Sequence, residues 1–286
     1  MSAAGSVAVP GGVRAGRVGA AGVAVRLVGA GFRRAAAYRT AVLAGATTNT
    51  VFGAIKLGIL SAAAASAGGS IGGYDRAALS TYTWLTQGLL AVVGLLGGTS
   101  VRLDQRIRTG DVVVDLARPV DPVLAWMADD AGRALQAATF RLLAPLAFGA
   151  LVFGITVPTS AATVPLLVVS IALAWAVSFC CRVVVEMAGF WTTDVRGLTT
   201  VYIAVSNVLG GVIVPLSLFP APLAALARAT PFPSMLQIPV DIAVEHRTGA
   251  AALTGLVVQA AWVAVLLVVA SVVLRRATRT VVVGGG

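Results

Sequence analysis

Residues 101–133 read VRLDQRIRTGDVVVDLARPVDPVLAWMADDAGR, and the rest of the chain is read outward from them. This is the one long stretch dense in charge, and strongly apolar segments flank it on both sides. Across the 286 residues, 11% are charged and 58% are hydrophobic. A soluble domain carries about 25% charged residues. The charged island therefore reads as a loop outside a bilayer, offered to a soluble partner, and the apolar remainder reads as membrane.

Upstream of the island, residues 41–62 and 79–98 are each long enough to cross a hydrocarbon layer of about 30 Å. A short Gly/Ser/Ala-rich loop separates them, and Tyr74, Tyr82 and Trp84 flank the second as an interfacial aromatic belt does. Further upstream, residues 20–38 place Val25, Val28, Phe32 and Ala36 on one helical face, with Arg26 and Arg33 to one side and Arg34 opposite. That pattern predicts a helix lying in the interface; the alternative is a basic flank that only sets topology. Within the island, Asp121 is a good N-cap and Pro122 fits the first helical position, so a helix starts there and runs on into a third span at 142–157.

A tight turn, VPTSAAT, leads to a fourth span at 161–179. A second charged stretch follows, CRVVVEMAGFWTTDVRG, in which Arg182 and Glu186 are four residues apart and positioned to pair on one helix face. The fifth span is 198–216. Residues 216–247 contain Pro220, Pro222, Pro231, Pro233 and Pro239, which exclude one continuous helix and predict short re-entrant helices in the outer leaflet. The sixth span, 251–274, carries no charge and is closed by Arg275, Arg276 and Arg279. The expected architecture is an all-α polytopic membrane protein with six transmembrane helices. Residues 1–19 form a flexible tail, 20–280 a single transmembrane domain, and 281–286 a C-terminal tail.

The net charge of +10 comes from arginines beside apolar segments, which is a topology signal and not a nucleic-acid surface. With six spans and the N-terminus inside, seventeen arginines fall on the cytoplasmic side and three, Arg76, Arg228 and Arg247, fall outside. Both termini are thus expected in the cytoplasm of a cell-membrane protein. No G-x-x-x-x-G-K-[ST] motif occurs, and the single lysine, Lys56, leaves none to hide. There is no HExxH, no metal spacing and no nucleophile elbow, so neither an enzyme activity nor a cofactor is expected. Adjacent Cys180 and Cys181 read as packed, reduced thiols, and His246 as a solvated loop residue. Lys56, within the first span, is expected either to face the bundle or to snorkel to the surface. The spans hold almost no carboxylates, which disfavours an ion-coupled carrier. Energy is therefore expected from another protein.

The order of these parts resembles the permease subunits of ABC type-2 exporters, especially the actinobacterial branch with separate half-size permeases. QRIRTGDVVVDLARPVDP is similar to that branch's coupling-loop signature. FWTTDVRG followed by VPLSLFP is similar to its second one, and PLSLFPAPLAALARATPFPSM follows the fifth span. The resemblance covers about residues 20–280. It implies two permeases, identical or related, and two cytoplasmic ATPase subunits. It also implies that a coupling helix between spans two and three sits in a groove of the ATPase. Carried over by position, the coupling residues are Gln105, Arg106, Ile107, Arg108, Thr109, Gly110 and Asp111. Gly110 permits a sharp turn, Arg106 and Arg108 offer donors to carboxylates, and Ile107 offers an apolar anchor. The alternative is a solvated positive-inside loop. The outer helices around Pro215–Pro233 would cap the cavity. Cargo, by family habit a drug, antibiotic or lipid-like compound, would pass spans one, two and five, beside Asn49, Gln87 and Asn207. Two other readings are a non-transporting membrane scaffold and a secondary carrier.

Overall fold

A computed structural model describes residues 20–156, 158–192 and 194–283, and their regular structure is helical. The predicted N-terminal tail, 1–19, lies outside the described residues. In chain order the elements are α1 (Ala20–Ala36), α2 (Arg39–Ser66), α3 (Arg76–Val93), α4 (Leu103–Thr109), α5 (Val112–Leu116) and α6 (Pro122–Ala137). A π turn (Ala138–Leu142) carries α6 into α7 (Leu143–Val152). Then come α8 (Thr163–Met187), α9 (Arg196–Leu209), α10 (Ala221–Arg228), α11 (Gln237–Ala243) and α12 (Gly249–Val283).

Four helices are long and apolar enough to cross a membrane: Val42–Ser66, Pro122–Val152, Thr163–Phe190 and Gly249–Arg279. The other two predicted spans are shorter than expected. α3 stops at Val93 because Gly94 takes a left-handed turn at φ 67, and does not run on to 98. α9 stops at Leu209, where Gly210 and Gly211 (φ 79) break the helix inside an apolar run. Its 14 residues span about 21 Å at 1.5 Å per residue. The third predicted span, 142–157, is the second part of a helix that begins at Pro122 and runs through the π turn, and it ends at Val152. At the C-terminus α12 reaches Val283, so residues 281–283 continue the helix and do not form a separate tail.

Helix starts follow local chemistry. The Asp75 carboxylate accepts the Ala78 N–H at 2.8 Å and starts α3, and Asp121 accepts the Leu124 N–H at 3.0 Å and starts α6. Between lipid-facing helices no hydrophobic drive exists, so close contact and hydrogen bonds must select the packing. α3 is the centre of the bundle, buried from Ala78 to Val93. Trp84 fits there because Gly53 on α2 and Gly149 on α7 leave room: a Cβ would lie 2.8 Å and 2.2 Å from its ring. α8 packs along α12, and α1 along α6.

The α1–α6 contact is made backbone to backbone. A Cβ on Gly31 would stand 2.0 Å from the Asp129 carbonyl oxygen, and one on Gly132 2.0 Å from that of Val28. Arg34, on the side opposite the other α1 arginines, pairs with Asp129 at 2.9 Å. Val25, predicted on the apolar face, is 71% exposed. The packed face of α1 is thus chosen by glycine and charge more than by its apolar stripe.

Candidate functional site

At the end of the bundle that carries α4, three polar residues lie on one face of α8 at intervals of four. Each holds a successive point of the chain running from α3 to α4. Ser178 Oγ donates to the Val93 carbonyl at 2.7 Å. Arg182 Nη1 donates to the Gly98 carbonyl at 3.0 Å. Glu186 accepts the Leu103 N–H at 2.9 Å, the Thr99 hydroxyl at 2.7 Å and the Thr99 N–H. Gly98 is needed here, since a Cβ would stand 2.4 Å from Glu186 Oε1. The bond from Leu103 satisfies a first-turn donor of α4 that has no partner within the helix. Arg102 enters that turn at φ 52, a left-handed conformation costing a side chain about 1–2 kcal/mol.

The expected Arg182–Glu186 pair does not form. The two share a face, but each is turned to a different segment. Arg182 Nη2 instead pairs with Asp130 at 2.9 Å, with both side chains almost wholly buried. Asp130 also accepts from Arg133 Nε at 2.9 Å and Trp175 Nε1 at 2.9 Å. Arg133 completes the join by donating to the carbonyls of Ala91 and Val92 at 2.8 and 3.0 Å, which end α3 without helical partners. One buried ionic centre thus ties α3, α6 and α8 together directly beside the anchor of α4. Asp130, Arg133, Ser178 and Thr99 were not singled out from the sequence. Polar residues at 178, 182 and 186 in an apolar run were the available signal.

The predicted coupling residues divide into two sets. Arg106 turns inward and pairs with Asp115 at 2.8 Å, and Asp115 also accepts the Trp126 N–H at 3.1 Å. Ile107 is half-buried and packs beside Gly189. Gln105, Arg108, Thr109, Gly110 and Asp111 are exposed, and Arg108 pairs with Asp104 at 3.9 Å. Gly110 makes the expected turn at φ 81. Exposed Val113 and Val114 on α5 extend this surface.

Among the predicted cargo-path residues, Asn49 and Gln87 meet: Asn49 Nδ2 donates to the Gln87 carbonyl at 3.0 Å across α2 and α3. Asn207 Nδ2 donates to the Ile203 carbonyl, one turn back in α9, at 2.8 Å. Lys56 neither snorkels nor stands free. Its Nζ donates at 2.6 Å to the Val212 carbonyl, just past the break in α9, and lies 4.4 Å from the centre of the Tyr82 ring. The Tyr82 hydroxyl donates to the Gly211 carbonyl next to it. α2 and α3 therefore satisfy the carbonyls that the broken helix leaves open.

At the opposite end, Gln237 Nε2 donates to the Tyr74 hydroxyl (2.8 Å) and to Asp241 (2.6 Å). Tyr74 in turn donates to Asp241 at 2.5 Å. Burial, then the neighbouring Asp241 charge, raises the Tyr74 phenol well above its ordinary range. Glu245, at φ 58, accepts the Thr159 hydroxyl (2.7 Å), the Ser160 N–H (3.1 Å) and the Thr163 hydroxyl (3.0 Å) at the start of α8. These bonds, that of Thr159 first, hold its carboxyl down at about 2. His246 is exposed and lies against Tyr74, ring centres 4.2 Å apart.

Compared with known families, residues 54–285 match the model described as ABC-2 family transporter protein. No curated protein and no solved structure matches the chain.

Proposed function

Since the chain belongs to the ABC-2 transporter family, a family of membrane permeases, we propose that it is the membrane-spanning subunit of an ATP-driven exporter. ATP binding and hydrolysis occur in a separate cytoplasmic subunit that docks on the exposed face of α4 and α5. The observation that carries this reading is the asymmetry of α4. Its outer face, Gln105, Arg108, Thr109 and Gly110, is open, while its first turn is fastened by Glu186 to α8. A load applied to the open face is passed to α8, and from there through Arg182 and Asp130 to α3 and α6.

In this reading α3 and α9 complete a six-span bundle with both termini in the cytoplasm, in keeping with the arginine distribution. The proline-broken segment from Leu216 to Ala243 lies at the outer side. Two permeases, identical or related, enclose a path for a drug, antibiotic or lipid-like compound. Asn49 and Gln87 are the polar groups of that path best placed to meet cargo, and Asn207 supports α9.

The test is co-purification of the full-length chain with its ATPase, followed by charge reversal on the open face. Arg108→Glu should cut association at least tenfold and lower ATP turnover of the mixture. Arg106 is a poor probe, because its loss unpairs Asp115 inside the protein. Absence of any complex, or unchanged association and turnover in Arg108→Glu, would refute the reading.

A further inference from the structure

The buried ions of the bundle are mostly balanced. Arg133 and Arg182 share Asp130, Arg34 meets Asp129, and Lys56 holds a carbonyl. Arg141 differs. It lies in the π turn of the long α6–α7 helix, half-buried, and among the described residues it has no hydrogen-bond acceptor and no carboxylate partner; its Nε is buried and unpaired. Its Nη2 lies against the backbone of α2 at Gly45, where a Cβ would come within 2.5 Å. Gly45 belongs to the apolar stretch Val42–Ser66, so the guanidinium packs against a helix long and apolar enough to cross a membrane.

Arg141 opens into a cavity of about 290 Å³ that Asn49, Leu90, Gly94 and Arg133 also line. Its neighbour Phe140 faces a separate cleft of about 390 Å³, lined by Ala36, Val42, Leu43 and Gln136. The π turn thus presents a cation to a polar cavity and an aromatic ring to an apolar cleft from adjacent residues. Such turns recur at functional sites. A cation at depth without an acceptor is costly, and a guanidinium fork matches two oxygens of one phosphate or carboxylate.

We propose that the Arg141 cavity binds the oxyanion headgroup of an amphiphile whose apolar part lies in the cleft beside Phe140. The amphiphile enters sideways between α2 and the π turn. This uses the membrane placement of the proposed function but not its ATPase, so either can fail alone.

The experiment is thermal unfolding of the full-length chain in a non-ionic detergent at constant ionic strength. The probes are phosphatidylglycerol, decyl phosphate, phosphatidylcholine and inorganic phosphate. The expected result is a midpoint raised by roughly 5 °C near saturation. A rise with phosphatidylglycerol marks a bilayer lipid as the source, and a rise with decyl phosphate alone marks a smaller amphiphile. Phosphatidylcholine and inorganic phosphate should have little effect. Arg141→Gln should abolish the rise and Arg76→Gln, exposed at the start of α3, should keep it. Should Arg141→Gln not fold, Arg141→Lys keeps the charge but not the fork, and the rise should fall by at least half. No rise with either amphiphile, an equal rise with inorganic phosphate, or a full rise in the Arg141 variants would overturn the proposal.

Discussion

The Glu186 carboxylate, at the end of α8, closes the first turn of α4 by accepting the Leu103 N–H at 2.9 Å. Two short-range bonds to Thr99 complete the hold. The hydrogen bonds from the chain entering α4 to α8 therefore converge on one buried carboxylate, and their strength is open to measurement.

Removing that side chain in Glu186→Ala leaves three donors without their acceptor. Buried donors left unmet cost about 1–3 kcal/mol each, less whatever water replaces. A local loss of about 2–3 kcal/mol is expected, which is a roughly 30- to 150-fold faster amide exchange across residues 99–109. Exchange at α12 should stay unchanged. Because the outer face of α4 is intact, the variant should still bind the ATPase where Arg108→Glu does not. Unchanged exchange in this segment would show that α4 is held by packing of Leu103 and Ile107 instead.

Asp130 serves two arginines at once, so its neutralisation should be severe. Asp130→Asn leaves Arg133 and Arg182 short of counter-charge in the interior, and breaking a buried pair costs about 3–5 kcal/mol. The double variant Asp130→Leu with Arg182→Met removes both charges of the innermost pair and should lose less than the sum of its single variants. Thermal unfolding of the four proteins in detergent measures the coupling. Strict additivity would contradict a direct dependence of Arg182 on Asp130.

What could be read in advance was the part fixed by neighbours in the chain. Asp121 and Pro122 announce the start of α6, and Gly110 announces the turn after α4, because caps and turns act over three or four residues. The ends of α3 and α9 were misplaced because Gly94 and Gly210 sit inside runs whose hydropathy continues past the break. The contact of Gly31 with Gly132 was invisible for another reason: a close approach depends on two distant segments, and neither glycine signals it alone. Arg182 and Glu186 show the limit most clearly. Their spacing correctly predicts a shared face, but their partners, Asp130 and Thr99, come from elsewhere in the fold. The π turn at Arg141 has no marker in the local sequence at all.

Lys56 tests whether the break after α9 depends on α2. Lys56→Met keeps most of the apolar length and removes the donor to the Val212 carbonyl. The Gly211 carbonyl still has Tyr82, so the loss should be partial, about 1–3 kcal/mol. Amide exchange should rise in residues 210–218 and not in α4. Lys56→Arg retains a donor and should recover part of the protection. Equal protection in wild type and Lys56→Met would mean that Tyr82 alone secures the break.

The final prediction concerns acid. The Glu245 carboxyl is held at about 2 in the folded protein, below its ordinary value of 4.5, by the donors of Thr159, Ser160 and Thr163. A depressed folded value means that the ionised form is the one the fold prefers. Its contribution is complete above about pH 5 and declines as pH falls through 4.5 toward 2. Residues 159–162 lie in the connection from α7 to α8, so their amide exchange, corrected for intrinsic rates, should be flat from pH 7 to 5 and accelerate between pH 4 and 3. Glu245→Gln, which cannot ionise, should start less protected and show no such acceleration. The left-handed backbone at Glu245 gives an independent control, since Glu245→Gly relieves the φ 58 conformation but still loses the carboxylate. If Glu245→Gly matched wild type at pH 7, the loop would owe its order to the turn and not to the carboxylate.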